Sequence, residues 1–187
     1  MNEDAAEDAS LKRARVVVLI LIALLIAAVG FRFVLAEIQI RQATELINYT
    51  QLEPGLYMGG RVDEPPKGTG AVLCLSMERD AYDTAVYQWR PIQDGTPAPS
   101  LEWLREQVVF VDAQRKAGRT VYVHCDAGIS RSGMVMAAYY MWREHWSAEK
   151  ALAFLRVKRK LVNPNQAFVE LLREWEATLA RERAAAA

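Results

Sequence analysis

Cys125 and Arg131 are the residues whose types and spacing point to chemistry. They lie in the run Val121-Tyr122-Val123-His124-Cys125-Asp126-Ala127-Gly128-Ile129-Ser130-Arg131-Ser132-Gly133. An apolar, β-type segment ends in the cysteine, the arginine follows, and a long apolar helical pattern begins there. The small residues between them let the backbone curl with several N–H groups pointing inward, and Gly128 permits a conformation closed to other residues. Asp126, Ala127, Gly128, Ile129, Ser130 and Arg131 then form a cradle for a tetrahedral dianion at the start of a helix, with a sulfur nucleophile at its floor. A thiol attacks as the thiolate, a form that a helix N-terminus and a nearby cation favour. Arg131 offers a planar fork that grips two phosphate oxygens, which a lysine does not. A transferring phosphoryl group spreads charge over its equatorial oxygens, so ringed N–H donors and an arginine are the matching stabilisers.

The elements that must position these residues are legible as alternating patterns. Leu56 to Met58, Ala71 to Leu75, Val86 to Ile92 and Thr120 to His124 read as strands, with Pro54-Gly55, Gly59-Gly60 and the Pro/Gly-rich stretch from Asp63 to Gly70 as punctuation. Ser100 caps a helix to about Ala117, in which Leu101, Leu104, Val108 and Val111 share a face and Gly118 stops the run. Ser132 to His145 is nearly all apolar, hence a central buried helix, and Ser147 caps another helix to about Lys160. Phe168, Leu171, Leu172, Trp175 and Leu179 recur at helical spacing in the last one. Strands alternating with helices and then helices alone predict an α/β fold, a small and mostly parallel central sheet flanked by helices. Cys74 in its apolar strand reads as a small core residue, with a resolving thiol for Cys125 as the alternative. The basic run Arg156, Lys158, Arg159, Lys160 reads as a solvated face.

Composition excludes several classes. The 187 residues carry 23 Lys+Arg and 23 Asp+Glu, a formal net charge of zero, so no basic excess argues for nucleic acid. Two cysteines make no disulfide framework, and two histidines are too few for a zinc site. No metal and no cofactor are expected. The N-terminus differs in kind. Residues 1–15 read as a disordered acidic tail, and 16–36 as a single transmembrane anchor preceding the fold, since Val16 to Phe31 is uncharged and Arg32 can snorkel. A cleaved signal peptide and a buried core helix are the alternatives weighed against the anchor. Residues 37–50 read as a juxtamembrane linker and 51–183 as the enzymatic domain. A single-pass membrane location follows. Lys12, Arg13 and Arg15 outweigh Arg32 and Arg41 and argue for an outside domain, whereas a thiol enzyme suits a reducing compartment, so the side stays open.

His-Cys, Gly third after the cysteine, Arg sixth and Ser seventh resembles the phosphate-binding loop of the cysteine-dependent protein tyrosine phosphatase superfamily, its dual-specificity branch above all. The resemblance runs from about Gln51 to Leu179. It implies a phosphatase working through a phosphocysteine, with Cys125 as nucleophile, Arg131 gripping phosphate and Ser132 bonded to the sulfur. His124 would orient the loop from a buried ring. Pro91 to Ser100 resembles the family's acid loop, which makes Asp94 the general acid, beside its ordinary reading as an Asp-Gly turn residue. Asn163-Pro164-Asn165 resembles the segment that braces the phosphate loop, a supporting role carried to Asn165, while turn chemistry would satisfy the same residues. Asp126 reads as a carboxylate aimed at solvent. The resulting expectation is a membrane-anchored phosphatase acting on protein phosphotyrosine, with or without phosphoserine and phosphothreonine. A phosphoinositide or other phospholipid phosphatase held at the bilayer, and a phosphate-binding pseudophosphatase, are the alternatives.

Overall fold

Side-chain alternation in the central strands builds a sheet with two different faces. The computed structural model describes residues 19, 21–33 and 48–186. The chain divides into two compact units, Met1–Leu46 and Ile47–Ala187. The second unit holds β1 (Tyr49–Glu53), β2 (Leu56–Gly59), β3 (Thr69–Cys74), β4 (Val86–Trp89), α1 (Leu101–Lys116), β5 (Thr120–His124), α2 (Arg131–Glu144), α3 (Ala148–Lys158) and α4 (Gln166–Ala186). The strand order is β1-β2-β5-β3-β4. β2, β5, β3 and β4 run parallel, and β1 pairs antiparallel with β2. The sheet is therefore mostly parallel, as the pattern predicts, and mixed through a single antiparallel edge strand that the pattern did not show. The difference is β1, whose hairpin with β2 turns through Pro54 and Gly55, the latter at φ +73°.

Along β3, Ala71 and Leu73 enter the main core with Val121 and Val123 of β5, while Val72 and Cys74 point the other way and pack with Tyr122. Residues of all four helices fill the first face, and Tyr49, Tyr57, Tyr82 and Tyr87 lie against the second. α2 is buried along most of its length, from Arg131 to Met141. Trp175 of α4, fully buried, donates its indole N–H to the Ala138 carbonyl of α2 at 3.2 Å. α1 and α3 start where their serines cap them: Ser100 Oγ accepts from the Trp103 N–H and Ser147 Oγ from the Lys150 N–H.

The expected anchor is corrected. Among the described residues no helix is long and apolar enough to cross a membrane. The transmembrane segment over 16–36, the membrane as a partner and the single-pass membrane location fall with it. Residues 16–18, 20 and 34–36 of the expected segment lie outside the described residues. Residues 1–15 and the 37–47 part of the linker lie outside the described residues.

Candidate active site

The chain leaves β5 at His124, curls through Asp126 to Ser130 and enters α2 at Arg131. Gly128 makes that curl possible. Its φ is +69°, and a Cβ there would run into the backbone of Gly59 and Gly60 at the end of β2. The loop is thus folded down onto the neighbouring strand end. Cys125 N–H donates to the Gly59 carbonyl at 3.3 Å, and the Arg61 N–H donates to the Asp126 carbonyl at 2.9 Å. Ser130, at the N-cap of α2, makes no side-chain bond to that helix's backbone, so its first N–H groups are not closed off by the cap.

Cys125 is buried, with its Sγ 3.4 Å from Ser132 Oγ, and Ser132 in turn donates to the Gly59 carbonyl at 3.3 Å. Arg131 lies over the same loop. Its Nη1 donates to the carbonyls of Leu75 and Ile92, both at 3.3 Å, which ties the guanidinium to the ends of β3 and of the strand-like segment after β4. Its Nη2 donates to Asp126 Oδ2 at 2.6 Å. Asp126 is half exposed, in keeping with its position, and at the same time paired with Arg131. Burial alone would raise its carboxyl, but the hydrogen bond and charge of Arg131 outweigh that and hold it below the ordinary carboxylate range.

Asp94 arrives from the loop between β4 and α1. Its Oδ1 accepts from Ser130 Oγ at 2.6 Å and from Asn165 Nδ2 at 2.8 Å, and its Oδ2 stands 3.8 Å from Arg131 Nε. Asn165 does three things at once. Its side-chain carbonyl accepts from the Phe168 N–H at the start of α4, its amide holds Asp94, and its backbone N–H donates to Ser130 Oγ at 3.1 Å. The chain from Asn163 to Asn165 also closes on the loop through an Asn163 N–H bond to the Ile129 carbonyl, 3.0 Å.

Behind the loop, His124 is fully buried and stacks on Tyr122, with ring centroids 4.9 Å apart. Its Nε2 meets Asp80 Oδ2 at 2.8 Å, with both side chains at most 1% exposed. Burial alone would lower the imidazole. The hydrogen bond to Asp80 outweighs it and raises His124 to about 9. Tyr87 adds a hydroxyl bond to the same carboxylate oxygen at 2.8 Å. Cys74, Asp80 and His124 each offer one ligand atom within 4.8 Å of one another. Asp80 Oδ2 is taken by His124 and Tyr87, which gives the trio the chemistry of a hydrogen-bonded brace, while Asp80 Oδ1 is buried without a hydrogen-bond partner among the described residues. Cys74 packs on the tyrosine face of the sheet and Cys125 in the helix-side core.

Two contributors escaped the sequence reading. Arg159, taken for a solvated residue, is 7% exposed. Its Nε donates to the Gly128 carbonyl at 2.9 Å, and its Nη2 donates to the Ala127 carbonyl at 3.1 Å and to Asn48 Oδ1 at 2.6 Å. Its signal was its place just ahead of Asn163-Pro164-Asn165, which turns it back towards the loop. Asp80 had no signal at all, because only the fold brings it to His124.

The arrangement offers a sulfur, an anchored guanidinium and a carboxyl within one small bowl. Comparison with known proteins agrees with that chemistry. The family described as the catalytic domain of dual specificity phosphatases matches residues 69–178. Human dual specificity protein phosphatase 1 is 30% identical over 135 residues, which are 68% of this chain and 37% of that protein. Dual specificity protein phosphatase 4 of Gallus gallus is 29% identical over 135 residues, 68% of this chain and 36% of that protein. The chain thus spans little more than a third of the length of these relatives. In fold, it is similar to human DUSP28, with a TM-score of 0.66 at 22% identity, covering 72% of this chain and 96% of the other.

Proposed function

This chain belongs to the dual specificity phosphatase family and shares its enzyme class, that of cysteine-dependent phosphatases; from that premise we propose that Cys125 is the nucleophile, Arg131 the phosphate grip and Asp94 the general acid in hydrolysis of phosphorylated proteins. The Cys125 thiolate attacks phosphorus, and the bond from phosphorus to the ester oxygen breaks. Asp94 passes its proton to that oxygen as it leaves. Water then attacks the phosphocysteine and gives a proton back to Asp94, the sulfur–phosphorus bond breaks, and inorganic phosphate departs. As thiolate charge returns to the sulfur, Ser132 turns its single hydroxyl hydrogen from the Gly59 carbonyl to Cys125 Sγ. Asp126 to Ser130 supply backbone N–H groups to the phosphoryl oxygens, His124 fixes the loop from below, and Asn165 holds the acid. The names of the relatives suggest phosphotyrosine together with phosphoserine and phosphothreonine as the substrate class.

The observation that carries this reading is the convergence of three elements on one bowl: Arg131 Nε lies 3.8 Å from Asp94 Oδ2, and Cys125 Sγ lies 3.4 Å from Ser132 Oγ. The test is turnover by the reduced chain on p-nitrophenyl phosphate and on peptides carrying phosphotyrosine or phosphothreonine. Cys125→Ser should abolish hydrolysis of all three. Undiminished turnover by that variant would overturn the assignment.

A further inference from the structure

The Arg131 guanidinium presents two N–H groups along one edge, Nε and Nη2, and a phosphate gripped bidentately needs both. Nη2 is taken by Asp126 Oδ2 at 2.6 Å, while Nε is buried without a hydrogen-bond partner among the described residues. The other terminus, Nη1, is tied to the Leu75 and Ile92 carbonyls, so the arginine is fixed from behind. Asp126 is not fixed in the same way. Its backbone is held by the Arg61 N–H, but its side chain is 49% exposed and has open solvent to turn into. When an oxyanion claims Nη2, the group that yields is therefore Asp126.

We propose that Asp126 is an internal competitor for phosphate, a carboxylate that occupies half of the Arg131 fork and lowers the affinity of the loop for bare oxyanions. It is a specificity-determining residue. A substrate must bring enough contacts beyond its phosphate to displace a tethered charge, so small phosphomonoesters and free phosphate are held weakly. With Arg131 beside it Asp126 stays ionised at neutral pH, and the competition operates there. The inference rests on the phosphate-loop reading above.

The experiment uses the reduced full chain and inorganic phosphate as probe. Phosphate is titrated calorimetrically into wild type, Asp126→Asn and Asp126→Ala, and the same proteins are assayed for the KM and kcat of p-nitrophenyl phosphate. Both variants should bind phosphate about tenfold tighter, the scale of a half-exposed charge-assisted hydrogen bond removed from the competitor, and KM should fall by more than kcat changes. A merely structural role for Asp126 predicts the opposite sign, weaker binding. Phosphate affinity unchanged or lower in both variants, or no phosphate binding by any of the three, overturns the proposal. The enzymatic reading fails separately, on absent turnover by wild type, and the calorimetric comparison does not depend on turnover.

Discussion

At Asp94 the two carboxylate oxygens have different neighbours, and that asymmetry assigns them different work. Oδ1 is held by Ser130 and Asn165, which leaves Oδ2, on the Arg131 side, to carry the proton. Loss of the proton matters most when the leaving oxygen is strongly basic. Asp94→Asn should therefore lower kcat on phenyl phosphate or phosphoserine by roughly a hundredfold or more, and on p-nitrophenyl phosphate far less. An equal loss on both would remove Asp94 from the acid role. Asn165→Ala tests the holding contact. It should lower kcat with little change in KM and cost about 1 kcal/mol of stability, because the same side chain caps α4. A shift confined to KM would separate Asn165 from the acid. Among these residues the motif-bearing ones were legible in sequence because nucleophile, glycine and arginine sit within one short run. Asp126 was legible in part: its exposure follows from its place in the loop, whereas its pairing with Arg131 shows only once the fold brings the guanidinium to it.

The proposed phosphate loop is held by two elements outside it, which grip its carbonyls and its underside. Gly59 and Gly60 at the end of β2 lie directly beneath Gly128, and Arg159 after α3 takes the Ala127 and Gly128 carbonyls. With these carbonyls turned outward to Arg159, the N–H groups of the same peptides are free to turn inward. Arg159→Leu keeps volume and loses the donors. It should destabilise the fold by about 3 kcal/mol, read from urea unfolding, and lower kcat/KM by roughly a hundredfold through misplacement of the loop. Lost stability with full activity would show that Arg159 supports the fold and not the loop geometry. The elements were unevenly legible. Ser100 and Ser147 announce their helices because a cap is local chemistry. β1 was missed although Pro54-Gly55 is a turn signature, because Tyr49 to Glu53 buries only Leu52 and so lacks the alternation of a half-buried strand.

On the scale of the whole molecule, the second unit was readable because strand, loop and helix patterns agree with one another, whereas the apolar run near the N-terminus was judged from its length in sequence and its lack of charge, with no neighbouring pattern to agree with. Among the described residues no helix is long and apolar enough to cross a membrane, so an apolar run of sufficient length in sequence is not by itself a span. The buried pair of His124 and Asp80 is the other global feature that no pattern announces, since the two residues come from β5 and from the loop after β3. It links the stability of the fold to pH. His124 is raised from 6.5 to about 9, so its contribution is fully present below about 6.5 and is lost as pH rises through about 9. Asp80 is lowered from 3.8, so its share is present above that value and is lost only as pH falls through its lower folded one. The alkaline side is the informative one. Between pH 7 and pH 10 the melting temperature of wild type should fall by roughly 4 °C more than that of Asp80→Asn, which starts lower because the imidazole has lost its charged partner. Parallel curves for the two proteins across that range would mean that His124 is neutral in the fold, and that the pair is a plain hydrogen bond between an imidazole and a carboxylate.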